Sequence, residues 1–136
     1  MQITVDRYSL EKTFIATGQL QVEEKDNSTI LTYYDGSMKV STSGLYHPIV
    51  ALENLRQQLA VDFNSILAIN GCRVDTDYRA TGGYGCYVIE LGKPATNSLC
   101  LFNPTNAIDK LCTVDVHKAA YRMWLKSHGF DTSEED

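Results

Sequence analysis

Nowhere does this 136-residue sequence string together the roughly 18 apolar residues that a membrane-spanning helix requires. Its opening stretch, from Met1 to Asp6, lacks a basic segment followed by an apolar one, so no secretory leader is expected. Positive charge is scarce too: 12 Lys and Arg against 17 Asp and Glu leave a formal net charge of −5. Broad binding to a nucleic-acid backbone needs a cationic surplus on some face, and this balance argues against it. Metal-site spacings are missing. The four cysteines (Cys72, Cys86, Cys100, Cys112) form no Cys-x2-Cys pair, and the three histidines (His47, His117, His128) form no His-x3-His pair. Glycines cluster at Gly82, Gly83 and Gly85, but strand-like Cys86-Tyr87-Val88-Ile89 follows, where a phosphate-binding loop needs Gly-Lys-Ser/Thr entering a helix. No metal or cofactor is expected.

What remains is an ordinary folding composition, 43% hydrophobic and 21% charged. A chain this long can bury a core as one domain without covalent support. Each cysteine lies in or beside an apolar run, which points to reduced, buried thiols in a cytoplasmic protein. Cys86 begins such a run and lacks the surroundings of known cysteine hydrolases. A packing role is therefore preferred over a nucleophile served by one of the histidines.

Residues 13–22 alternate, with Phe14, Ala16, Leu20 and Val22 on one side, the pattern of a half-buried strand. A polar run at 23–28 turns the chain into a second strand at 29–34, and Asp35 and Gly36 supply a tight turn into a third at 38–41. His47 and Pro48 open a helix. Ile49, Leu52, Leu55, Leu59 and Phe63 form its apolar stripe, with Glu53, Asn54, Arg56, Gln57 and Gln58 expected to face water. Residues 65–69, 86–91 and 99–102 read as further strands. Asp115 is expected to cap a last helix that turns Val116, Ala119, Ala120, Met123 and Trp124 inward. Gly129 would close that helix, with Phe130 folding back on Leu125. The expectation is a single α+β domain over 1–130, an antiparallel sheet of five to six strands with two helices packed on it, then a mobile acidic tail at 131–136.

The most informative stretch is 64–94. Two apolar runs flank a polar, glycine-rich crossing that carries Arg73, Asp75, Asp77, Arg79 and several tyrosines. Polar loops held at both ends by a scaffold are frequent sites of function. Asp75 and Asp77 share a face if the segment is extended, and Tyr and Arg are enriched where interfaces concentrate their energy. Asp75, Asp77, Tyr78, Arg79 and Tyr84 are thus the candidate partner-binding residues, with no catalytic residue assigned.

Around this stretch, Asn70-Gly71-Cys72-Arg73-Val74-Asp75, the cluster Gly82-Gly83-Tyr84-Gly85, the run from Tyr87 to Ala95 and the preceding helix from Pro48 to Leu59 together resemble a family. It comprises small cytosolic proteins encoded beside Rhs-type and contact-dependent inhibition toxins of Gram-negative bacteria. The resemblance covers roughly residues 47–95. Thr76-Asp77-Tyr78-Arg79-Ala80-Thr81 departs from the family by being shorter and lacking a Pro-Ser-Gly-Met-Ser pattern. It implies an immunity protein, not an enzyme, whose partner is a cognate toxin C-terminal domain of the basic nuclease type. No nucleic-acid or membrane partner is implied, and the chain would be a monomer or a dimer. Two other readings remain open: a small-molecule or hydrolytic enzyme using Arg73, Asp75 and Tyr87, and a non-catalytic module that oligomerises.

Overall fold

A computed structural model describes residues 1–78 and 84–127. Strands β1 (Gln2–Ser9), β2 (Phe14–Lys25), β3 (Ser28–Asp35) and β4 (Met38–Leu45) lead into helix α1 (Pro48–Phe63) and the short strand β5 (Ser65–Leu67). Strands β6 (Thr76–Asp77), β7 (Gly85–Val88) and β8 (Thr96–Cys100) follow, and then helix α2 (Val114–Ser127). The fold is α+β. A curled five-stranded antiparallel sheet in the order β4-β3-β2-β1-β5 is joined by a three-stranded sheet β6-β7-β8, with both helices packed against them.

The alternation of β2 places Gly18, Leu20 and Val22 inside, opposite Thr29, Leu31 and Tyr33 of β3 and Val40 and Gly44 of β4. Phe14, expected on that inner face, is 53% exposed where β2 runs past the core, its ring packed edge-on against Tyr8. The turn between β2 and β3 is tighter than the polar run at 23–28 suggested. Only Asp26 and Asn27 leave the ladder, both left-handed at φ 51° and 63°, the two-residue geometry that matches strand twist. β1 was not anticipated from sequence. Its inward row of Ile3, Val5 and Arg7 ends in a charge, which masks the alternation.

Arg7 enters the interior because its charge is met there. Its guanidinium donates to both carboxylate oxygens of Asp35 at 2.8 and 3.2 Å and to Ser65 Oγ at 2.8 Å, tying β1 to β3 and β5. Tyr33, fully buried, donates its hydroxyl to the same carboxylate at 2.5 Å. These hydrogen bonds, Arg7's foremost, hold the Asp35 carboxyl below its ordinary range.

His47 caps α1, its Nδ1 accepting from the Ile49 amide at 3.1 Å, with Pro48 in the first turn. Leu52, Leu55 and Leu59 are buried as the stripe required, whereas Phe63 at its end is 39% exposed. Helix and sheet meet at Gly44, where a Cβ would lie 2.5 Å from the Ala51 nitrogen; Thr42 Oγ1 donates to the Ala51 carbonyl beside it at 2.8 Å.

Three expectations are corrected. Arg56, assigned to solvent, is only 5% exposed. Asp115 lies in the first turn of α2 and does not precede it. That helix buries Val114 and His117, while Val116 and Met123 are 53% and 59% exposed. Gly129, Phe130 and the 131–136 tail fall outside the described residues. Substituting Gly44→Ala should destabilise the fold by about 1–3 kcal/mol through overpacking at the α1–β4 contact, read as a lower urea midpoint with unchanged slope.

Candidate functional site

The crossing segment is fixed from several directions. Ile69 bridges Pro104 and Arg73 bridges Leu111, with a 3-10 turn at Asn70–Cys72 between them. The Val74 amide donates to the Lys110 carbonyl at 2.7 Å, and the Ile89 amide to the Asp75 carbonyl at 2.9 Å. Thr76, wholly buried, donates its hydroxyl to the carbonyls of Asn70 and Arg73. Residues 69–76, which read as a loop, are thereby held by hydrogen bonds on several sides.

This framework separates the candidate residues. Asp75 is half-buried and accepts two hydrogen bonds from the Arg73 guanidinium, at 2.8 and 2.7 Å. Burial would push its carboxyl up, but the Arg73 hydrogen bonds and charge outweigh burial and hold it below the usual carboxylate range. Asp77 and Tyr78 are 4% and 3% exposed, so neither offers the solvent-facing contact surface expected of it. Asp77 pairs with Tyr87 across β6 and β7, and Tyr78 points into the interior. Tyr84 is turned toward β2, where its hydroxyl donates to Glu24 and its ring packs on Phe102 at 5.5 Å. Arg79 lies outside the described residues, as do Gly82 and Gly83.

Tyr78 belongs to a buried cluster centred on Arg56. Nη1 of Arg56 reaches the Tyr78 hydroxyl at 3.0 Å and His117 Nδ1 at 2.9 Å, and Nη2 donates to the Cys112 carbonyl at 2.9 Å. A guanidinium can only donate, so His117 Nδ1 is an acceptor. The ring proton therefore sits on Nε2, which donates to the Thr76 carbonyl at 2.6 Å. The Tyr78 hydroxyl donates in turn to the Glu53 carboxylate at 2.9 Å, and its ring meets His117 edge-on at 5.2 Å. One cationic side chain thus joins α1, the residue after β6, α2 and the segment before α2. Periodicity could not reveal it, because the partners lie 22 to 61 residues away in sequence.

Outside this cluster runs a groove of about 350 Å³. Val74, Asp75, Ile89 and Leu91 form one wall and Ala120, Met123 and Trp124 of α2 the other, with Glu90 and Lys110 adding charge. Its lining is mainly apolar, and Leu91 and Met123 are 58% and 59% exposed. The turn after Leu91 is docked on the helix: Trp124 Nε1 donates to the Lys93 carbonyl at 2.9 Å, and the Gly92 amide to Ser127 Oγ at 2.9 Å. Of the described candidate residues only Asp75 lines this groove. Met123 and Trp124 were visible as an apolar pair, but read as core.

The thiols are arranged for packing. All four cysteines are free, and burial pushes the Cys86 thiol up to about 12 and Cys112 up to about 11, away from the thiolate a nucleophile needs. Among the described residues no three His, Cys, Asp or Glu stand close enough to hold a metal ion, and no helix is long and apolar enough to cross a membrane. No protein-family model, curated protein or solved structure matches the chain.

The Asp75–Arg73 pair sets a pH dependence. A carboxyl whose folded pKa is depressed contributes stability that is present above its unfolded value of about 3.9 and is lost as pH falls through the lower folded value. Asp75→Asn should remove that component, giving a flatter decline of unfolding free energy below about pH 4 than the parent shows in urea titrations.

Proposed function

We propose that the chain works by contact, as a cytoplasmic immunity protein that binds and neutralises a cognate toxin domain, and that the groove beside α2 is the surface it presents. The observation that carries this reading is the unfilled apolar face of α2, with Leu91 and Met123 exposed along a groove whose charged members are Asp75, Glu90 and Lys110. Apolar and aromatic side chains ringed by polar groups are the usual composition of an interface centre. Trp124, pinned through its indole to the Lys93 carbonyl, is a preorganised member of that face. The acidic surplus would speed encounter with a basic toxin.

The displaced titration of several buried groups supports the same reading. Asp35 and Asp75 are displaced downward, and Tyr33, Tyr78, Cys72, Cys86 and Cys112 upward, each away from the neutral range where general acids and bases operate. The enzyme alternative needs Arg73, Asp75 and Tyr87 to converge. Arg73 is occupied by Asp75, and Tyr87 lines no part of the groove.

Co-production with the toxin encoded beside it, followed by association kinetics on the purified pair, tests the proposal. Replacing Leu91 and Met123 together by Glu should weaken association about tenfold or more while leaving the circular dichroism unchanged. A pair that forms equally tightly with the double variant removes the groove from the interface. Cells left unprotected by the unmodified chain remove the immunity reading altogether.

A further inference from the structure

Two of the four thiols stand opposite each other across the backbone. Arg73 and Leu111 form an antiparallel bridge, which sets Cys72 against Cys112 one position along. The Cys112 amide donates to the Cys72 carbonyl at 3.0 Å, and Cys112 Sγ lies 3.6 Å from the same oxygen. Residues directly opposite in an antiparallel pair turn their side chains to one face, with Cα atoms about 4.5–5.5 Å apart. A disulfide accepts Cα separations of about 4.4–6.8 Å. Cys86 and Cys100 lack this arrangement. Cys86 opposes Leu99 and Cys100 opposes Gly85 in consecutive pairs of β7 and β8, so their side chains leave the sheet on opposite faces.

The pair sits where α2 joins the body. Cys72 ends the 3-10 turn of the crossing segment and is wholly buried, while Cys112, just before α2, is 8% exposed. Both sulfurs feel the positive charge of Arg56, whose Nη2 lies 3.8 Å from Cys112 Sγ. That charge favours thiolate and opposes the effect of burial. Burial prevails in the closed fold, so reaction awaits an opening. α2 buries only Val114 and His117 among its described residues, and elements with few buried contacts open first. An opening there uncovers Cys112 before Cys72.

We propose that Cys72 and Cys112 are an oxidisable pair, a modification site at which a peroxide closes a disulfide between the crossing segment and the lead-in of α2. With hydrogen peroxide, the Cys112 thiolate attacks one oxygen. The S–O bond forms, the O–O bond breaks, and hydroxide leaves to take up a proton as water. On reclosure the Cys72 thiolate attacks that sulfur. The S–S bond forms, the S–O bond breaks, and a second hydroxide leaves and is protonated to water. Two thiols are oxidised, and one peroxide is reduced to two waters. The link joins residues 40 positions apart and fastens α2 covalently where hydrogen bonds hold it in the reduced chain. This site stands apart from the α2 groove and from the immunity reading.

The full chain is treated with hydrogen peroxide under native conditions, alkylated with N-ethylmaleimide in denaturant and digested without reductant. Mass spectrometry should show the loss of two hydrogens, two of the four thiols left for alkylation, and a peptide pair linking Cys72 to Cys112. Dithiothreitol should reverse all three. Amide hydrogen exchange across α2 should slow roughly tenfold or more in the linked form. In Cys72→Ser, Cys112 should stop at the sulfenic acid and be captured by dimedone, whereas Cys112→Ser should leave Cys72 unmodified. A native chain that keeps all four thiols, a link made through Cys86 or Cys100, or α2 exchange unchanged by the link would overturn the proposal.

Discussion

The placement of Arg56 constrains the rest of this molecule more than any apolar contact does. A guanidinium taken out of water must have its donors met, and here the acceptors come from three separate parts of the chain: Tyr78 after β6, Cys112 before α2, and His117 within α2. α2 buries only Val114 and His117 among its described residues, so its hold on the body is as much polar as hydrophobic. His117 completes the arrangement by holding Thr76 with its other nitrogen. The helix is oriented by hydrogen bonds whose geometry allows one ring rotamer and one tautomer. Arg7 shows the more usual solution, a buried arginine facing a carboxylate.

That orientation explains why the apolar side chains of α2 are divided. A helix docked mainly by packing would turn Val116, Met123 and Trp124 to the core, as its sequence suggests. Docked through His117, it leaves Val116 and Met123 outside and makes a groove wall of Met123 and Trp124. The interior polar contact and the exterior apolar surface are two sides of one choice. Asp75, at the edge of that groove, is met internally by Arg73.

Legibility in the sequence followed the range of the interactions. β2, β3 and β4 could be read because alternation, the polar run at 23–28 and the Gly36 turn are local, and α1 because His47, Pro48 and the Leu52, Leu55 and Leu59 stripe are local too. β1 was hidden by Arg7 at an inward position. β6 was hidden because two residues held by distant partners carry no periodicity. The buried state of Arg56, Asp77 and Tyr78 depends on residues far along the chain. Of the four proposed contact residues that the structure describes, only Asp75 lies at the groove, since polarity marks a residue as reaching a partner without saying whether that partner is internal.

The strand order carries a kinetic consequence. β2, β3 and β4 are successive hairpins that can zip from their turns, whereas β1 closes the sheet against β5 across the whole of α1, with Arg7 reaching Ser65. Loop-closure entropy makes so distant a pairing slow and late. A nascent chain therefore holds its meander before its sheet is sealed. During that interval the free side of β1 is an open edge, able to recruit another chain until residues 65–67 arrive to cover it.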